Sequence, residues 1–205
     1  MNNKSAFDMV HQQGSMGSKI VVALERISEA FRVLLWNEGK AEGLSPLQVQ
    51  LLIFLFHHPE GDKRKVGHLA AEFNMTKATV SDAVKTLLSK GLVVKMPDPA
   101  DQRSFSLTLT VEGEALASRA SHFSTEIQTP IEQLSEDDQA NLLLHLLGII
   151  KHLNRAGVIT VQRMCYTCAH HRIQGSGHFC QLMNTPLQAS ELRVDCPEHE
   201  VGLKK

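Results

Sequence analysis

The chain has 205 residues, 42% of them hydrophobic, and a formal net charge of −1. That length and apolar content can bury a core of one domain plus an appendage, which excludes a disordered chain, and the near-neutral total excludes a simple polycation. The longest strictly apolar run, residues 51–56, is far too short to span a membrane, and the N-terminus lacks the apolar core of a signal peptide, so a cytoplasmic protein without membrane contact is expected.

Residues 1–17 are polar, carry Gly14, Ser15 and Gly17, show no sustained period and read as a mobile segment. From Lys19 the pattern changes: Ile20, Ala23, Leu24, Ile27, Phe31, Leu34 and Leu35 form one stripe of a long helix ending near Gly39. Ser45-Pro46 opens a second helix with a capping Ser and a Pro in its first turn. Val49, Leu51, Leu52, Phe54, Leu55 and Phe56 make that helix apolar on most sides, so it belongs at the centre of a domain.

Residues 66–73 predict a short amphipathic helix with Leu69, Ala70 and Phe73 inward, and Asn74-Met75 is the whole connection to the next one. That next helix, residues 76–90, is bounded by a capping Thr76 and by Gly91, and Val80, Val84, Leu87 and Leu88 form its inner stripe. Two helices joined this tightly must cross steeply. This is helix-turn-helix geometry, and the small polar outer face of the second helix suits a major groove. Lys77 and Lys85 are candidate phosphate or base contacts, and Thr76, Thr79 and Ser81 are candidate hydrogen-bonding groups near its start. Thr76 also has a plainer role as a helix cap.

Residues 92–96 and 105–109 are rich in β-formers, while Pro97 to Arg103 between them, with two prolines, cannot continue either strand. The pair predicts a β-hairpin with a long tip, a wing over 97–104, from which Arg103 would reach the minor groove or merely pair with Asp98 or Asp101. Charge is segregated to match: residues 63–103 carry +4, and residues 104–139 carry −6.

Thr110 caps a helix with Val111, Ala115, Leu116, Ala120 and Phe123, expected to run to a break at Thr129-Pro130. Ser135 and the acids behind it open another, whose Leu142, Leu143, Leu146, Leu147, Ile149, Ile150 and Leu153 exceed what one monomeric face needs; an intramolecular core is the alternative use for them.

Helix, helix, Gly91-Leu92-Val93, then Asp98-Pro99-Ala100-Asp101-Gln102-Arg103-Ser104 and Leu107-Thr108-Leu109-Thr110-Val111-Glu112-Gly113 resembles the MarR family of winged-helix transcription regulators over residues 18–156. The resemblance implies a homodimer packed through its terminal helices, acting, most simply as a repressor, on double-stranded DNA with a pseudo-palindromic operator. It also implies a small-molecule effector whose identity the sequence leaves open. The expected fold is mainly α with a small β-hairpin wing, divided into a mobile segment (1–17), helical dimerisation regions (18–44 and 110–157), a winged helix-turn-helix (45–109) and a cysteine-rich module (158–205).

All four cysteines lie in that last module, as Cys165, Cys168, Cys180 and Cys196, spaced C-x2-C-x11-C-x15-C. Its apolar residues are few, so a bound metal ion is expected to order it. Three readings stay open for the thiols: a structural zinc site, an iron–sulfur cluster in a redox- or metal-sensing regulator, or reactive cysteines. His170, His171, His178 and His199 are substitute ligands or plain surface histidines. The tail lies outside the MarR-like pattern. No G-x-S-x-G, P-loop or H-E-x-x-H is present, and four thiolates would leave zinc no open position, so an enzyme is not expected. An interaction protein that binds no DNA would explain the helices and the tail but not the wing.

Overall fold

The computed structural model describes residues 5–59, 61–97, 104–175 and 177–202. In chain order its elements are α1 (Met9–Gly14), α2 (Met16–Gly39), α3 (Pro46–His57), α4 (Val66–Glu72), α5 (Lys77–Ser89), β1 (Val93–Pro97), β2 (Phe105–Leu109), α6 (Val111–Ala120), α7 (Thr125–Glu132), α8 (Glu136–Arg155), β3 (His171–Gln174), β4 (Gly177–Cys180) and β5 (Thr185–Leu187). Contacts divide the chain into two compact units: Met1–Arg64 with Ala83–Glu126, and Lys65–Asp82 with Ile127–Lys205. No helix among the described residues is long and apolar enough to cross a membrane.

In the first unit α3 is central, packed against α2 and α6. Ser45 and Gln48 close a reciprocal capping box at its start, and Val49, Leu51, Leu52 and Leu55 are inaccessible to solvent. At its other end Arg64 donates to the carbonyls of Leu55 and His58 and, from the same guanidinium, to Leu107 in β2, while the Phe54 carbonyl accepts from the His58 N–H. The strands pair antiparallel from Val93↔Leu109 to Pro97↔Phe105, so Pro97 is the last residue of β1 and not part of the tip as expected. A strand end tolerates a residue with no N–H.

Gly113 fixes where the hairpin meets α6. A Cβ there would collide with the carbonyl oxygen of Leu92, which is itself held by the Thr110 N–H at 3.1 Å. Thr110 accepts from the Gly113 N–H at 3.0 Å and donates to the Gly91 carbonyl at 2.7 Å, so one hydroxyl caps α6 and ties it to the turn after α5.

Two expectations change here. The described part of the N-terminal segment is helical, because Asp8 caps α1 and Ser15 caps α2, signals that a search for apolar period passes over. The break after α6 falls at residues 121–124, where Ser121 bonds back to Ala117 and Thr125 to His122, and Pro130 sits inside α7. On α2, Ile20, Val21, Ile27, Val33 and Trp36 stay exposed.

In the second unit, α4 buries Leu69 and Ala70, then turns on Asn74, whose φ of 55° is a left-handed conformation that Asn tolerates. The Met75 N–H donates to the Ala70 carbonyl at 2.9 Å, and α5 begins directly after. Ser135 caps α8, as expected. The leucines of α8 are partly consumed within the chain: Leu147 packs with Met164, Leu187 and Leu192 of the tail, with Leu143, Leu144 and Ile150 around them. Leu142 and Ile149 remain exposed. The fold also gains a second sheet the sequence did not suggest, antiparallel in the order β3-β4-β5. The run 170–178, patternless as sequence, supplies β3 and the first half of β4. A core borrowed from α8 therefore contributes to ordering the tail.

Candidate nucleic-acid interface and four-cysteine cluster

The face of α5 carries the expected groups in two roles. Thr76 accepts from the Thr79 N–H at 3.1 Å, and the two hydroxyls lie 2.9 Å apart, so Thr76 is the cap that sets the helix start while remaining at the surface. Lys77, Thr79 and Lys85 are exposed and Ser81 half-buried, while Val80, Ala83, Val84 and Leu87 are buried, so one helix presents a polar strip opposite an apolar one. Lys77 runs along α4, where a Cβ on Gly67 would stand 3.6 Å from its Cε; the missing side chain leaves it room. In the hairpin, Lys95 lies over the Phe105 ring, its Nζ 4.4 Å from the centroid. Arg103 and the rest of the tip, 98–103, lie outside the described residues.

The turn between α4 and α5 is held by residues the sequence reading passed over. Asn74 Nδ2 donates to the Val158 carbonyl at 2.7 Å, and the Thr160 hydroxyl donates to the Ala71 carbonyl at 2.7 Å. Arg163 grips two carboxylates at once: it meets Glu72, the last residue of α4, at 2.6 and 3.1 Å, and Asp195 at 2.7 and 3.1 Å. Paired forks of this kind fix geometry as well as charge, and the hydrogen bonds Arg163 donates to Asp195 and then to Glu72 push the guanidinium pKa well above its ordinary value despite burial. A signal was present in the sequence: Arg163 stands two residues before the first cysteine and Asp195 one before the last.

The four cysteines are all free thiols. Cys165 and Cys168 flank the short turn Cys165–Thr167, Cys180 ends β4, and Cys196 follows Asp195. All four line one small cavity of about 30 Å³. Arg193 frames it: its N–H donates to Cys165 Sγ at 3.3 Å, and its guanidinium lies 3.6 Å from Cys196 Sγ and 2.9 Å from Glu198. Burial pushes the Cys165 thiol pKa up; the Arg193 N–H opposes this, and the other three cysteines add to it. Among the described residues no three His, Cys, Asp or Glu side chains are already drawn close enough to hold a metal ion.

Of the four histidines, His170 and His171 line the cavity. His170 lies 3.2 Å from a Glu200 oxygen, and His171 Nε2 lies 3.0 Å from His178 Nδ1 in a stack with Tyr166. Burial, aided by His178, Lys151 and Arg172, pushes the His171 pKa down to about 4. His199 bonds Thr167 at 3.0 Å.

Residues 42–104, from just after α2 to just before β2, match the family model of the MarR family. The chain is 27% identical over 132 residues to the HTH-type transcriptional repressor YetL of Bacillus subtilis, a match covering 63% of this chain and 77% of YetL. It superposes on MepR of S. aureus in complex with DNA with a TM-score of 0.57 at 24% identity, covering 65% of this chain and 97% of MepR. A MarR transcriptional regulator from Methanosarcina mazei Go1 superposes with a TM-score of 0.56 at 18% identity, covering 68% and 98%. The superpositions share a winged-helix fold.

Proposed function

We propose that the protein is a MarR-family transcriptional repressor that binds operator DNA in the cytoplasm as a homodimer. The observation that carries this reading is the exposed Thr76, Lys77, Thr79 and Lys85 strip, on or at the cap of a helix joined to α4 by only the four residues 73–76, inside the segment that matches the MarR family model. The α5 helix enters the major groove, with Ser81 at the edge of the strip. Arg103 on the hairpin tip reaches the minor groove, whose negative potential draws an arginine. The exposed apolar residues of α2 and α8 meet their copies in a second subunit, so the operator is a pseudo-palindrome with half-sites about one helical turn apart. YetL is a repressor and MepR is seen with DNA, and both support the reading.

The test is a fluorescence titration of a labelled duplex from upstream of the protein's own gene, against a scrambled duplex. Loss of a base contact in Ser81→Ala costs about 1–3 kcal/mol and relaxes sequence preference, whereas Lys85→Ala and Arg103→Ala weaken binding and lower the salt slope by about 1 each. If neither α5 variant changes affinity or preference, α5 is not the reader. If the wild type treats both duplexes alike, the protein acts through another partner.

A further inference from the structure

The cysteines reach their shared cavity from three separated pieces of chain, and two further observations fit them to one soft cation. All four thiols line that one cavity, the all-sulfur donor set of a closed tetrahedral site. Arg193 supplies an N–H to Cys165 Sγ and a guanidinium beside Cys196 Sγ, and such donors compensate the charge that four thiolates leave on a divalent ion. The apolar core of the tail is thin, Met164, Leu187 and Leu192 against a borrowed Leu147, so a metal adds ordering energy where packing is weakest.

The site is wired to α4. The Cys196 N–H donates to the Arg163 carbonyl at 2.8 Å, and Asp195, next to Cys196, holds the Arg163 guanidinium whose other partner is Glu72. Cys165 lies two residues from Arg163 and is tied to Arg193 both ways, its N–H donating to the Arg193 carbonyl at 3.0 Å and its Sγ accepting from the Arg193 N–H at 3.3 Å. Movement of Cys165 and Cys196 toward a common ion therefore moves both ends of the Arg163 clamp.

We propose that Cys165, Cys168, Cys180 and Cys196 form a tetrathiolate site for one zinc-class divalent cation, and that its loading sets the Arg163 clamp on Glu72, making the tail an effector site for the DNA-reading helices. The DNA half of this statement rests on the function proposed above; the metal half does not. On loading, four sulfur–metal bonds of about 2.3 Å form, and each thiol loses its proton to solvent, so affinity rises with pH. Closure of the four sulfurs on the ion is carried to α4 through the Cys196 N–H bond to the Arg163 carbonyl and the Asp195–Arg163 pair.

The full chain, purified under reducing conditions and stripped with a chelator, is titrated with cobalt(II) and then zinc. One cobalt per chain, with the thiolate charge-transfer and ligand-field bands of a tetrahedral sulfur site that zinc then bleaches, supports the site. Weak bands without thiolate character, or protein that emerges brown with iron and sulfide, overturn it. Hydrogen exchange across residues 66–75 reads the coupling without DNA and is slowed by zinc. Operator affinity of stripped and zinc-loaded protein differs by about tenfold in the fluorescence titration. Arg163→Met and, independently, Glu72→Gln keep the cobalt spectrum and erase both differences. Equal exchange and equal affinity in the two forms overturn the coupling. Absence of DNA binding in both forms defeats the DNA-binding reading alone, since the cobalt spectrum and the exchange rates still decide the rest.

Discussion

Gly113→Ala reverses the usual sign of a glycine replacement in a helix. In an open position the change gains roughly 0.8–1.0 kcal/mol of helix propensity. At Gly113 the new methyl falls on the Leu92 carbonyl oxygen, well inside the 3.0 Å that real Cβ atoms keep from other heavy atoms. That oxygen cannot withdraw cheaply. It accepts from Thr110, and the Leu92 N–H is itself bonded to the Leu87 carbonyl at 3.0 Å. Overpacking of about 1–3 kcal/mol plus one strained main-chain hydrogen bond of about 1 outweighs the propensity gain, for a net loss of about 1–3 kcal/mol. Gly148 in α8 is the matched control, since nothing stands within 4 Å of its Cβ position; Gly148→Ala stabilises by roughly 0.5–1 kcal/mol. Urea unfolding followed by far-ultraviolet circular dichroism, with all proteins at one concentration, compares them. A Gly113→Ala protein as stable as Gly148→Ala would falsify the steric account and leave the glycine a matter of chance.

Leu147→Ala costs about 2–5 kcal/mol and frees the tail from α8, seen as faster tryptic cutting after residue 157; uncut tail would mean its order does not depend on that core. Arg64→Met strips donors from three carbonyls at the end of α3 and in β2, and a drop of about 2–4 kcal/mol in unfolding free energy is expected; an unchanged midpoint would show that water replaces the guanidinium at no cost. Trp36, the sole tryptophan, is 54% exposed on α2, so its emission shifts to the blue as protein is raised from nanomolar to micromolar concentration; emission that stays put while light scattering reports a dimer places the interface elsewhere.

What was legible in the sequence follows physical signals confined to a few neighbouring residues. Ser45, Thr76, Thr110 and Ser135 each cap the helix they were expected to open, because a cap is a bond between residues three apart. The two strands of the hairpin were readable from their own residues, though Pro97 was placed in the tip and not in β1. Missed features depend on partners far along the chain. Arg163 and Glu72 are 91 residues apart, and nothing in the period of either segment announces that they meet. The second sheet escaped because its strands are three or four residues long with no alternation, held in part by a core on α8. The four cysteines were legible as a cluster from spacing, while the cavity they share and Arg163 behind it were not.

The division of the chain into interleaved units bears on how it is made. One unit is complete in sequence once residue 126 has been synthesised, but α4 and the turn belong with residues 127–205. The partners that hold them, Val158, Thr160 and Arg163, lie 80 residues or more downstream. A seven-residue helix has little stability of its own. At roughly 5–20 residues per second, α4 waits on the order of 5–20 seconds on the ribosome for its clamp to emerge. A chain cut short after α8 would have an intact first unit and an unfinished reader, so emergence of Val158, Thr160 and Arg163 acts as the release step for a competent molecule.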